Sequence, residues 1–203
     1  SDGSSIIQST YIGTNDYDQV HFVDLDAEGD LYITGQALGS YTVTPGTYSN
    51  PGSKQFIHKM SPGLNSTFYS TVFGSGGPDI NISPTAFLVD KCHNVYVSGW
   101  GGTTNAFANG TDGFGGGLGF VNGMPLSPDA FQSTTDGSDF YFIVFDIDAV
   151  GLEYASYFGG GISSEHVDGG TSRFDSEGRI YQAVCAGCGA NSDFPTTPGA
   201  WSQ

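Results

Sequence analysis

A chain of 203 residues with 37% hydrophobic and 14% aromatic side chains holds enough apolar material for a sizeable packed domain, which argues against disorder. Its 21 acidic residues against five basic ones give a formal net charge of −16, which excludes nucleic acid and disfavours an anionic membrane surface as partners. No apolar run approaches the ~20 residues of a membrane-crossing helix, and 32 glycines beside abundant Tyr, Phe, Val, Thr and Ser point to strands and tight turns.

The chain opens on Ser1-Asp2-Gly3-Ser4-Ser5 with no secretory signal pattern, as a mature or internal start would. Four strands are expected in sequence, over residues 6–12, 20–24, 30–34 and 55–60. The second and third are joined by the turn Asp26-Ala27-Glu28-Gly29, whose glycine suits a positive φ. Leu31 and Ile33 alternate with Tyr32 and Thr34, as in a strand with two unlike faces. The opening phrase Ser9-Thr10-Tyr11-Ile12-Gly13 then returns as Ser70-Thr71-Val72-Phe73-Gly74 and as Ala155-Ser156-Tyr157-Phe158-Gly159. The acidic turn beginning Val23-Asp24 returns at Val89-Asp90 and Phe174-Asp175, each time before an alternating strand. The proline phrase Thr44-Pro45-Gly46-Thr47-Tyr48 returns as Ser127-Pro128-Asp129-Ala130-Phe131 and Thr197-Pro198-Gly199-Ala200-Trp201. A further strand is expected over 140–145, as the fourth of the second copy.

Self-similarity on this scale predicts a repeat architecture. The copies span about 6–65, 66–151 and 152–203. Gly13 and Gly74 lie 61 residues apart and Gly74 and Gly159 lie 85 apart; the extra length is a Gly-rich insertion at 101–124. Four antiparallel strands per copy suit the blades of a β-propeller, so the expected fold is all-β, a propeller-type repeat of about three blades with the last incomplete. Three copies cannot close a ring of ~4–8 blades. The chain is therefore expected to be one domain or a fragment of a larger propeller, partnered by the rest of a longer chain or by other copies through open blade edges.

These phrases resemble the SBBP repeat, a β-propeller repeat of large secreted and cell-surface proteins of Bacteroidota, often with gliding-motility-type C-terminal sorting domains. The likeness rests on Tyr154-Ala155-Ser156-Tyr157-Phe158-Gly159-Gly160, on Asp193-Phe194-Pro195-Thr196-Thr197-Pro198-Gly199-Ala200-Trp201, and on the stretches 166–175 and 184–189. It departs at Cys92-His93, where the family has a Ser-Gly turn, and at the insertion. The resemblance implies a propeller-type fold, export and a surface role, and no catalytic residues.

Placed outside the cell by that resemblance, Cys185 and Cys188 are expected to close a local disulfide around Ala186-Gly187. A zinc site shared by Cys92, His93, Cys185 and Cys188 has suitable ligand types but the wrong strand ends. Asp24, Asp26, Glu28 and Asp30 form weak calcium candidates: oxygen ligands alternate and a glycine follows, but Gly35 stands where a bidentate Glu belongs. An Asx-type hairpin turn is the simpler account of that segment. No G-x-S-x-G or H-E-x-x-H motif is present, and nothing selects His166, Asp168 and Ser172 as a triad, so no catalytic residue is expected. The expected function is a non-catalytic extracellular structural or adhesion module. The alternatives are a glycan-binding module using Trp100, Phe114 and Trp201, and less favoured, a hydrolase.

Overall fold

The computed structural model describes residues 3–102, 119–167, 172–188 (without the Cys188 side chain) and 191–201. Strands β1 (Asp18–Leu25), β2 (Leu31–Ala37), β3 (Gln55–Met60) and β4 (Thr67–Phe73) form one antiparallel sheet in that order. Strands β5 (Ser83–Val89), β6 (Val95–Trp100), β7 (Phe140–Phe145) and β8 (Leu152–Phe158) form a second. Two short ladders follow: β9 (Ser164–His166) pairs with β12 (Cys185–Cys188), and β10 (Arg173–Phe174) with β11 (Ile180–Tyr181). The fold is all-β and its sheets stay open, with no closed propeller among the described residues. No helix among them is long and apolar enough to cross a membrane.

The sheets do not begin where the repeats begin. The phrase ending at Gly74 is not the first strand of its own copy; it is β4, closing the first sheet with Phe56 opposite Val72 and Ile57 opposite Thr71. The phrase ending at Gly159 likewise lies in β8 and closes the second sheet, Ile143 opposite Ala155. This corrects the strand expected over 6–12. Among the described residues no third strand stands beside it to share a ladder, so the segment takes no strand geometry, and Ile6, Ile7 and Tyr11 are exposed.

Alternation within the strands gives each sheet two apolar faces. Tyr32, Ile57, Tyr69 and Phe73 of the first sheet pack on Val95, Val97, Tyr141, Ile143 and Phe145 of the second, forming the main core. The opposite face of the first sheet, with Ile33, Phe56, Met60 and Val72, is covered by Ile12, Tyr41 and Val43. That of the second, with Trp100 and Phe140, meets Val167, Val184 and Phe194. Strand β5 touches β1 on one side and β10 on the other, so the leading strands of successive sheets lie side by side. Both β1 and β5 carry a bulge, between Val20 and Phe22 and between Pro84 and Ala86, and the second tolerates a proline on an edge strand.

The insertion has a structural stem. Val121 and Met124 are buried in the main core, Tyr141 Oη donates to Pro125 O at 2.6 Å, and Asn81 Nδ2 donates to Phe120 O at 2.9 Å. The far end of the Gly-rich insertion thus packs into the main core beside the second sheet.

Candidate functional site

Three acidic turns share one geometry. Asp26 Oδ1 accepts the N–H of Glu28 and Asp30 at 3.1 and 2.8 Å. Asp90 Oδ1 accepts those of Cys92 and Asn94 at 2.7 and 2.9 Å, and Asp175 Oδ1 those of Glu177 and Arg179 at 2.9 and 3.0 Å. These are Asx turns, in which the side chain replaces ladder partners that the hairpin tip lacks. A tyrosine stands six residues on in each copy; Tyr96 and Tyr181 donate to the second carboxylate oxygen of Asp90 and Asp175 at 3.1 and 3.2 Å. The counterpart of Asp90 and Asp175 is therefore Asp26, not Asp24. Asp24 turns outward from its strand, and its Oδ2 accepts the N–H of Val89 at 3.0 Å, tying the first sheet to the end of β5.

The first turn holds the candidate site. Lys59 stands opposite Tyr32 on the neighbouring strand β3, so its stem lies on the Tyr32 ring, with Nζ 4.8 Å from the centroid. The ammonium reaches Asp26 Oδ2 at 3.3 Å and Asp30 Oδ2 at 3.2 Å. His93, from the β5–β6 turn of the second sheet, brings Nδ1 to 3.3 Å from Asp26 Oδ2 and Nε2 to 3.7 Å from Glu28 Oε2. Neither approach to Asp26 Oδ2 has hydrogen-bond geometry. Asp26 is 2% exposed and Lys59 10% in their side chains, which puts the pair in the regime where an unmatched charge is costly.

The titration of these groups reflects that balance. Burial works to raise the Asp26 carboxyl, but the Asp30 N–H and the Lys59 ammonium outweigh it and hold it below the usual carboxylate range. For Lys59 burial works downward and is outweighed by Tyr32, Asp30 and Asp26, leaving the ammonium firmly protonated. Burial pushes the Tyr32 phenol up to about 12, so it stays neutral.

His93 occupies a position of special backbone. Its φ is 65°, where the first and third copies carry Gly29 at 83° and Gly178 at 77°. A non-glycine residue there costs roughly 1–2 kcal/mol, and the imidazole it adds is the group that reaches across to the first sheet. Asp26, Glu28 and His93 present ligand atoms within 4.8 Å of one another, a set that could hold a metal ion. The Lys59 ammonium already fills the cationic place beside Asp26, so the arrangement as it stands is an ion-pair cluster of the first sheet that His93 of the second sheet joins. The weak calcium candidates Asp24, Asp26, Glu28 and Asp30 do not all converge on one point: Asp24 serves β5, while Asp26 and Asp30 serve Lys59.

The remaining candidates are dispersed. Cys185 is disulfide-bonded, Cys92 is a free exposed thiol, and the Cys188 side chain lies outside the described residues. A bonded Cys185 cannot supply a thiolate, so the four-residue zinc set is not assembled. Trp100 is 9% exposed, packed with Phe140 and Val167 and 5.6 Å from the His166 ring, and offers no open face to a sugar. Trp201 is fully exposed, and Phe114 lies outside the described residues. Asp168 also lies outside them, while His166 is buried against Trp100.

Lys59 and His93 carry the site and were not singled out from sequence as its residues. Two signals pointed to them: a lone lysine inside the apolar strand 55–60, and a histidine where the sister turns have glycine. No protein-family model matches the chain, and no curated protein matches it.

Proposed function

We propose that the chain is a non-catalytic extracellular structural and adhesion module of the SBBP propeller-repeat kind, acting by association of sheet edges and faces. One comparison carries this reading: the three aromatic residues that end the proline phrases. Each phrase forms the same turn, closed by Thr47 N–H to Thr44 O, Ala130 N–H to Ser127 O and Ala200 N–H to Thr197 O. In the first, Tyr48 is seated against the next sheet, its ring 5.8 Å from that of Phe145 and its N–H donating to Ala149 O at 2.7 Å. Its counterparts Phe131 and Trp201 are 71% and 104% exposed, Phe131 touching only the ring of Phe158, 5.8 Å away on the preceding sheet, among the described rings. Tyr48 is received by β7 and by the turn that follows it.

Covering each ring is worth about 1.5–3 kcal/mol, enough to favour association with a neighbouring sheet. The exposed run 6–11, leading into the phrase that closes a sheet in its other two occurrences, supplies the complementary element. The disulfide at Cys185 supports an oxidising compartment, hence export to the surface. Light scattering and sedimentation across a concentration series test the reading. Concentration-dependent assembly is expected, and Phe131→Ser with Trp201→Ser weakens it at unchanged monomer stability. A strict monomer at all concentrations, indifferent to both changes, defeats the proposal.

A further inference from the structure

A second carboxylate cluster lies where β7, β8 and β9 meet, away from Lys59. Asp139, just before β7, is fully buried, and Glu165 in β9 is 1% exposed. Glu165 Oε1 accepts the Gly160 N–H at 3.2 Å and the Ser163 hydroxyl at 2.5 Å. Glu165 Oε2 and both carboxylate oxygens of Asp139 have no hydrogen-bond partner. Thr135 and Glu165 both lie next to Asp139, and a proton on either carboxyl would let Asp139 and Glu165 hydrogen-bond to each other. The orphan oxygens converge on Gly159: a Cβ there would stand 1.9 Å from Asp139 Oδ1 and 2.6 Å from Glu165 Oε2.

The sister copies serve as internal controls. Beside Gly74 the place is held by amides, with Asn81 Oδ1 accepting Ser75 N–H and Asn81 Nδ2 donating to Phe120 O, both at 2.9 Å. Beside Gly13 stands a single carboxylate, Asp18, which accepts Thr14 N–H at 2.6 Å. At Gly159 two carboxylates meet, and among the described residues no lysine or arginine pairs with either. Buried like charges at this range demand a proton or a cation. Burial pushes both carboxyls upward, and the Asp139 charge adds to the rise at Glu165, while Glu165 works to lower Asp139. Asp136 and Asp193 add negative potential, and Asp193 is itself occupied by the N–H groups of Gly161, Ile162 and Ser163. A polar cleft of about 470 Å³, lined by Gln132, Thr134, Thr135, Asp136 and the Gly159–Gly161 segment, shares Gly159 with the cluster.

We propose that Asp139 and Glu165, converging above Gly159, bind a hard divalent cation, calcium, through their orphan carboxylate oxygens. Oxygen-only donors suit calcium, which takes six to eight such ligands, and water and cleft oxygens complete the shell. The test is equilibrium dialysis of the whole chain with calcium, paired with thermal melts in calcium and in chelator. Asp139→Asn, Glu165→Gln and the double variant serve as comparisons, and Asp26→Asn as control. One calcium per chain is expected, with a rise in Tm of about 5–10 °C at a calcium concentration a hundredfold above Kd. The wild type and Asp26→Asn share this response. Each single variant weakens binding at least tenfold and the double variant abolishes it, while their melts in chelator match or exceed the wild type because the repulsion is relieved. A calcium response that survives in the double variant overturns the assignment. So does a wild type indifferent to calcium, because a shared proton then balances the pair.

Discussion

Replacing Lys59 by Met keeps most of the stem that lies on Tyr32 and removes the ammonium. Asp26 Oδ2 and Asp30 Oδ2 then lose a cation at 3.3 and 3.2 Å, and Asp26 has almost no access to water. Removing one member of a buried pair costs about 3–5 kcal/mol. Lys59 and Asp30 keep some access to water, 10% and 16% in their side chains, which places the loss near the lower figure. For a domain of this size each kcal/mol moves Tm by about 2–4 °C, so Lys59→Met lowers it by roughly 6–12 °C at pH 7. The Asp26 carboxyl is depressed in the folded protein, so the stability it contributes is complete above its unfolded value of ~3.9 and is lost as pH falls through the lower folded value. In the variant the carboxyl has lost that support and takes up a proton at higher pH, so the gap between the two proteins narrows on acidification. Urea titrations from pH 7 down to pH 3, with Asp26→Asn and the double variant completing a cycle, measure both effects. A loss under about 1 kcal/mol that does not change with pH refutes the account of Lys59 as the charge matched to Asp26.

His93→Gly removes the strain of a non-glycine at φ 65° and also the imidazole contact with Asp26, so the denaturation midpoint changes by less than the equivalent of about 1 kcal/mol. His93→Val, which adds a β-branched side chain to the same backbone, costs about 2 kcal/mol or more, measured in the same urea series. Tyr48→Ala lowers stability by about 2–3 kcal/mol through its contact with Phe145, whereas Phe131→Ala stays within about 0.5 kcal/mol in calorimetry of the monomer. Met124→Ala costs about 2–4 kcal/mol because the insertion stem packs in the main core; an unchanged melting curve would mean the stem is dispensable.

Strand existence was legible where alternation was strong. Strands β3 and β7 match the segments expected at 55–60 and 140–145, and β2 starts one residue after its expected start. Their partners were less legible, because a period of two gives a strand its faces but not its neighbour. The phrase at 70–73 has the same pattern whether it opens one sheet or closes another; only the β3–β4 ladder decides. The acidic turns were visible, yet their alignment slipped by two residues in the first copy, where Asp24 and Asp26 compete for one role. The tyrosine six residues on would have resolved it. The site depends on a cross-strand pair, Tyr32 with Lys59, and on a contact between Asp26 and His93 of the next sheet. Neither leaves a local trace in sequence, except that a histidine at a positive-φ position is out of place. The burial of Trp100 was likewise settled by the second sheet's far face, not by its loop-like Gly-rich surroundings.

The offset between repeat and sheet bears on how such a chain carries load and grows. The second and third sequence copies surrender their opening phrases to the sheet before them, so adjacent sheets share a copy the way neighbouring planks share a lap joint. The span from β4 to β5 runs only from Phe73 to Ser83. Pulling on the chain therefore meets hydrogen-bonded strand almost at once, with little slack to draw out first. A duplicated copy inserted in the series brings one strand to give and one place to fill, and array length can change without leaving a sheet short.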